Sequence, residues 1–365
     1  MKILMLVGVA CLSLAANALG DMGLAVGEAR APSLHKAPQI ATFSIVARDP
    51  QTGDYGVAVQ SRYFAVGDVV PHAEATVGAV ATQARGNLLY GPQGLALLGK
   101  GLAAEQVVQR LLAPDQLRDE RQVGVVDQVG RAASYTGDKC LAWAGGRTGA
   151  SYAVQGNLLA GPQVVDAIAT AFEAAPGDFA TRLVYALAAG QAAGGDARGR
   201  QSAALLVVRE KGGYLGLTDR YIDLHVEDHP TPIRELARLL RIRQAQFISE
   251  QAKELVTQAN KTRGTEHAAL LEEARGLMLT ALEKHPSDDY GWWLLARIHM
   301  MEGQPKAAGL AAQRALLENP AWRHLSVTNR EGLGVSTELL DALLKVESFN
   351  RVWHSLAAVN DAGAQ

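Results

Sequence analysis

An α+β fold of antiparallel sheets paired face to face with helices outside, followed by an all-α C-terminal domain, is what this 365-residue sequence predicts. Three local hairpins before residue 229 call for antiparallel pairing rather than a doubly wound parallel sheet. The run "SAALLVV" (202–208) is apolar on both faces, as in a sheet covered on both sides. After residue 229 the pattern changes to a long amphipathic helix and an internal helical repeat.

The elements follow in order along the chain. "MKILMLVGVACLSLAANALG" opens with Lys2, an apolar run from Ile3 to Ala16, and small residues at Ala16 and Ala18; it reads as a secretory signal peptide of residues 1–18, too short for a membrane span. The protein is therefore expected to be exported, periplasmic or secreted. Cys11 raises lipidation as an alternative, but Gly8 and the short run before it favour ordinary cleavage after Ala18. Without Cys11 only Cys140 remains, so no internal disulfide can form. Residues 19–40 have no sustained period and read as a linker.

From residue 41 to about 240 strands and helices come in blocks. "TFSIVA" and "YGVAVQS" flank the Pro- and Gly-bearing turn Asp49 to Asp54. "RQVGVVD" and "RAASYTG" form a second hairpin, "SAALLVVRE" and "YLGLTDRYIDLHV" a third, and "VGAVATQA" and "SYAVQGNLLAG" add apolar strands. Helices are expected over 91–112, 161–174 and 178–192, where apolar residues recur three and four apart. A single amphipathic helix follows from Pro230 and Pro232, and residues 241–365 form the helical domain. There Ala274, Ala281 and Pro286 recur 34 positions later as Ala308, Ala315 and Pro320. This resembles the tetratricopeptide repeat, in which small residues sit where helices cross and a Pro ends the second helix. The segment "VSTELLDALLKVESFNRVWHSLAAV" reads as one or two capping helices.

Composition narrows the function. With 48% hydrophobic and 20% charged residues the chain is globular, and a formal net charge of -2 with both signs mixed argues against nucleic acid, which requires a concentrated basic face. The chain has no G-x-S-x-G, H-E-x-x-H, C-x-x-C or P-loop motif, so no metal or cofactor is expected. His225 and His229 are four apart, but on a strand running into a Pro loop that spacing does not bring their side chains together.

The order of "TFSIVARDPQTGDYGVAVQSRYFAVGDVVPHAEATVGAVATQA", "YGPQGLALL", "RQVGVVD", "YAVQGNLLAGPQVVDAIATAFE", "AGGDARGRQSAALLVV" and "DRYIDLHVEDHPTPIRELARLL" resembles a family catalogued only as a domain of unknown function with an Ntn-hydrolase-like fold. The resemblance covers residues 41–240 and implies a four-layer αββα sandwich. In Ntn hydrolases the first residue of the mature chain, Thr, Ser or Cys, is both nucleophile and base, because a free α-amine of pKa about 7.7–8.0 can take the hydroxyl proton and an amide nitrogen cannot. Thr42 is the candidate here, although it follows Ala41, and its other reading is a β-branched residue opening a strand. Asn87 and Asn157, in the near-duplicate contexts "GNLLYGP" and "GNLLAGP", are candidates to donate to an oxyanion or to cap a helix. Ser61 and Arg62, at the end of the second strand, are placed next to Thr42 by hairpin geometry and are candidates to bind substrate. Asp196, Arg198 and Arg200 lie in a Gly-rich loop, where they could bind a substrate carboxylate or ammonium or form a local ion pair. Cys140 reads as a small buried hydrophobe.

Two functions of different class follow. One is an exported amidohydrolase acting on a small-molecule or peptide amide through Thr42. The other is a non-catalytic binding or scaffold protein that recruits a protein partner, or pairs with its own copy as a homo-oligomer, through the helical repeats.

Overall fold

The computed structural model describes residues 42–323 and 337–362. The signal peptide, Cys11, the 19–40 linker and Ala41 lie outside the described residues. Two antiparallel sheets and ten helices make up the described chain. The strands are β1 (Thr42–Arg48), β2 (Tyr55–Ser61), β3 (Pro71–Glu74), β4 (Gly78–Ala84), β5 (Arg121–Val126), β6 (Ala132–Thr136), β7 (Gly145–Gly149), β8 (Tyr152–Asn157), β9 (Ser202–Val208) and β10 (Arg220–Val226). One sheet has the order β10-β9-β2-β1-β8-β7 and the other β3-β4-β5-β6.

All three expected hairpins are present, β1 with β2, β5 with β6 and β9 with β10. The short strands β3 and β7 were not expected. "PHAE" and "GGRTG" have little intrinsic strand propensity, and they are held as strands by pairing with β4 and β8.

The period-2 alternation of β1 divides its work. Phe43, Ile45 and Ala47 point to an apolar core under the helices α3 (Gln163–Ala174) and α4 (Phe179–Ala192), joined there by Ile168, Leu183 and Leu187. Val46 points the other way, into the space between the sheets, with Val57, Val59, Ala79, Ala81 and Val126. On the far side of the second sheet Val80, Val123 and Val125 meet α1 (Tyr90–Gly99) and α2 (Ala104–Leu112). The single helix expected over 91–112 is thus two, parted at Gly101, whose φ of 83° is the left-handed geometry that ends a helix.

The remaining helices are α5 (Pro232–Ala259), α6 (Gly264–Lys284), α7 (Asp289–Met301), α8 (Pro305–Glu318), α9 (Thr337–Leu344) and α10 (Glu347–Ala362). α5 belongs to both halves. Its Ile233, Leu236 and Leu240 complete the core under α4, whereas Ala245, Ala252 and Val256 enter a separate core with α6 to α10. Two residues past Ala245, Phe247 stacks on Tyr221 of β10 at 4.4 Å, with Arg209 over Tyr221 and Arg243 over Phe247. In the helical half Ala274, Ala281, Ala308 and Ala315 are all buried, and Pro286 and Pro320 follow α6 and α8.

A chain ending after Arg243 keeps the three α5 side chains that seal the sheet domain and loses only Phe247 from the stack. It is expected to stay soluble and melt cooperatively in circular dichroism. A molten or insoluble product would show that the helical half is required for folding.

Candidate functional site

Where β1 begins, the space between the sheets turns from apolar to polar. Strand pairing aligns Ser202, Ser61, Thr42 and Asn157 in one row across β9, β2, β1 and β8. All four are fully buried. Thr42 Oγ1 donates to Ser61 Oγ at 3.1 Å, and Ser202 Oγ, donating to the Tyr63 carbonyl, accepts from the Val66 N–H at 3.1 Å.

A second set of buried amides faces this row from β4, β5 and β8. Gln83 Nε2 donates to the Thr42 carbonyl at 3.3 Å and to Gln122 Oε1 at 2.8 Å, and its Oε1 accepts from Ser44 Oγ at 2.7 Å. Gln122 is the hub. Its Nε2 donates to the Gly156 carbonyl at 2.7 Å and to Thr136 Oγ1 at 2.9 Å, while its Oε1 also accepts from Asn157 Nδ2 at 3.0 Å. Gln155 Nε2 donates to Ser44 Oγ at 2.6 Å. Among the described residues Asn157 Oδ1 has no partner, an unmet acceptor at a fully buried position. Burying so many amides is stable only because nearly every donor finds an acceptor.

The backbone is strained at this same end. Ala65, four residues past β2, Ala84, the last residue of β4, and Leu158, the residue after β8, have φ of 53°, 65° and 51°. Such left-handed non-glycine residues cost of order 1–3 kcal/mol each and gather where a structure shapes a site.

The sequence-derived candidates separate into three groups. Thr42, Ser61 and Asn157 come together in the row. Arg62, Asp196 and Arg198 adjoin it as a brace: the buried Asp196 carboxylate accepts from the Arg62 N–H at 3.0 Å, from the Arg198 N–H at 2.9 Å and from Arg198 Nη2 at 2.9 Å, tying the strand end after Ser61 to the Gly-rich loop. Arg62 Nη1 also reaches Gln201 Oε1 at 3.2 Å. Arg200 is not brought to the row. It is exposed and lines a shallow depression with Gln191, Thr231 and Arg234.

Asn87 also lies elsewhere. Thr82, whose hydroxyl donates to the Asn87 carbonyl at 3.3 Å, is on the opposite face of β4 from Gln83. The Asn87 side chain accepts from the Leu89 N–H at 3.2 Å and donates to Asp115 Oδ2 at 3.2 Å, so it shapes the approach to α1. Burial pushes the Asp115 carboxyl up, but hydrogen bonds from Arg121, the Leu117 N–H, Tyr90 and Asn87 outweigh it and hold the group at about 2, below its ordinary 3.8. A carboxyl depressed in the fold stabilises above its unfolded pKa and stops doing so as the pH falls through its folded one. The stability lost in Asp115→Asn is therefore expected to be full at pH 7 and to shrink between about pH 4 and pH 2, which urea unfolding of both proteins would show. Cys140, half-buried, donates to the Arg121 carbonyl, and burial pushes its thiol up, the opposite of a nucleophile.

Ser202 reads in the sequence only as the end of the Gly-rich loop, and four other partners of the site escaped the sequence reading: Ser44, Gln83, Gln122 and Gln155. Their signal was polar residues at the inward positions of otherwise apolar strands, which reads equally as a solvated face.

Two antiparallel sheets with a buried row of polar side chains at the start of β1 define a class of domain, and comparison places it in a family. The chain belongs to the family described as a family of unknown function, DUF1028, which matches residues 42–236 and so begins at Thr42 itself. The crystal structure of a Silicibacter pomeroyi protein of that family is similar, with 33% sequence identity, a TM-score of 0.50, and 55% of this chain and 88% of that one covered. No curated protein matches the sequence. No helix among the described residues is long and apolar enough to cross a membrane.

Proposed function

We propose that residues 42 to about 240 form an Ntn-hydrolase-like αββα sandwich that hydrolyses an amide or peptide bond with Thr42 as nucleophile. The observation that carries this reading is the buried row Ser202, Ser61, Thr42, Asn157 at the start of the central strand.

In the reaction Thr42 Oγ1 attacks the carbonyl carbon, and the free α-amine of Thr42 takes the hydroxyl proton and passes it to the leaving nitrogen. Water then hydrolyses the acyl ester with the same amine as base. Ser61 Oγ, 3.1 Å from Thr42 Oγ1, orients the nucleophile. Gln83 fixes the Thr42 carbonyl. Asn157, whose Nδ2 retains an N–H beyond the one given to Gln122, is positioned beside Thr42 to hold the oxyanion. Thr42 is fully buried in the uncut chain and its nitrogen is an amide there, so in this reading the uncut chain is an inactive precursor and cleavage before Thr42 activates it.

Mass spectrometry of the exported protein together with a screen of amide substrates tests this. A terminus at Thr42 in a hydrolysing protein is the expected result. A terminus near Leu19 in a protein that still hydrolyses amides would exclude the amine as base.

For the helical half we propose tetratricopeptide-like packing, supported by the four buried Ala residues at the 34-residue offset and by the two Pro that follow their helices. It takes a protein or peptide partner, or a second copy of the chain. That same half supports the second reading of the whole protein, a binding scaffold without catalysis, which a mature terminus near Leu19 in a chain inert to amides would favour.

A further inference from the structure

We propose that Asp68, His225 and Glu227 form a binding site for one divalent zinc-class cation, clamping the segment between β2 and β3 to the end of β10. These three residues each present a ligand atom, all within 4.8 Å of one another. His225 Nδ1 lies 3.7 Å from Asp68 Oδ1 and 3.5 Å from Glu227 Oε1.

Those separations are too long for hydrogen bonds but suit ligands of a shared ion. Donors bound at ~2.0–2.2 Å in a tetrahedron sit roughly 3.3–3.6 Å apart, a spacing that Glu227 meets at 3.5 Å and that Asp68, at 3.7 Å, reaches with a small inward movement of an exposed side chain. The other ring nitrogen is already engaged, with Nε2 3.0 Å from Asp223 Oδ1. A carboxylate on the far nitrogen is the usual outer partner of a metal-bound histidine, because it fixes the tautomer whose remaining nitrogen carries the lone pair. Here that leaves Nδ1 facing two carboxylates. The arrangement needs a cation between them, either a proton on the ring or a metal.

Charge and local fit favour the metal. Glu227 turns Oε1 toward the ring, while its Oε2 is buried and has no hydrogen-bond partner among the described residues, so the half-exposed carboxylate can give an oxygen to an ion without breaking a bond at Oε2. A neutral imidazole with two carboxylates carries the charge that a divalent ion balances, and Asp223 is separately neutralised by Arg220. Mixed imidazole and carboxylate donors with room for water suit zinc and, less tightly, cobalt or manganese. Gly67 packs on the edge of the ring that carries Nδ1, where a Cβ would stand 2.6 Å from that nitrogen.

The site is separate from the row but mechanically joined to it. In the same segment the Ala65 N–H donates to the Glu227 carbonyl and the Val66 N–H donates to Ser202 Oγ. An ion here would stiffen the connection that carries Arg62 and Phe64. His229, four residues on, is not a ligand, as its strand spacing from His225 implied: its Nδ1 accepts from the Thr231 N–H at 3.0 Å.

The test is calorimetric titration of the chelator-treated full-length protein with zinc chloride, alongside thermal melting. One ion per chain and a raised melting temperature are expected in the wild type. Both are expected to vanish in His225→Ala and in Glu227→Gln, and Asp223→Asn should weaken binding about 10- to 100-fold with stoichiometry unchanged. Glu227→Gln keeps the test decisive if His225→Ala proves unfolded by circular dichroism. A folded wild type that takes up no zinc at millimolar concentration, or variants that bind as the wild type does, would overturn the site and leave His225 as an imidazolium among carboxylates.

Discussion

Thr42→Ala, in a protein expressed to begin at residue 42, is expected to lose amide hydrolysis by at least about 1,000-fold, the scale on which removing a catalytic nucleophile acts. The fold should survive. The substitution removes two heavy atoms and the hydrogen bond to Ser61 Oγ, a loss of roughly 1–3 kcal/mol in a domain with three further apolar cores around the row. Thr42→Ser keeps the hydroxyl and the amine and should keep much of the activity. Single-turnover assays with circular dichroism separate these outcomes. Equal activity in Thr42→Ala and the parent would assign the chemistry to another group.

The second large effect is structural. Gln122→Leu is expected to destabilise the protein by about 3–5 kcal/mol, read as a lower urea midpoint with unchanged slope. Leucine fills nearly the same volume, so a cavity is not the cause. What is lost is the junction of the two sheets: the Gly156 carbonyl, Asn157 Nδ2 and Gln83 Nε2 would each be left without the Gln122 partner at a fully buried position. Since Asn157 and Gln83 both touch the Thr42 strand, activity should fall with stability. A loss below about 1 kcal/mol would mean that ordered water takes over these bonds.

Much of the fold was legible because its signals are local. Turn residues at Asp49 to Asp54 and the apolar run of β9 gave the hairpins and the doubly covered sheet, and hairpin geometry alone put Ser61 beside Thr42. The site was legible only in part. Thr42 and Asn157 stand 115 positions apart, and their adjacency depends on β8 pairing with β1, which no local signal encodes. Asn87 shared its flanking residues with Asn157 yet landed on the helix side of β4, since similar local sequence does not decide which face of a sheet a loop leaves. Arg200 and Arg198 are two residues apart in one loop, and only Arg198 turns back onto Asp196. The Asp68, His225 and Glu227 cluster was hidden for the same reason: Asp68 comes from a turn more than 150 residues earlier in the chain.

The row of four side chains also has a history in time. Its members come from the first, second, eighth and ninth strands, so it cannot exist in a nascent chain that has made only its opening hairpin. Long-range pairings of this kind close late, after local hairpins and helices have formed. A newly made molecule is thus without the complete row until β9 has docked on β2. Any reactivity housed there is deferred to the completed fold, and the order of assembly itself keeps half-built copies chemically silent.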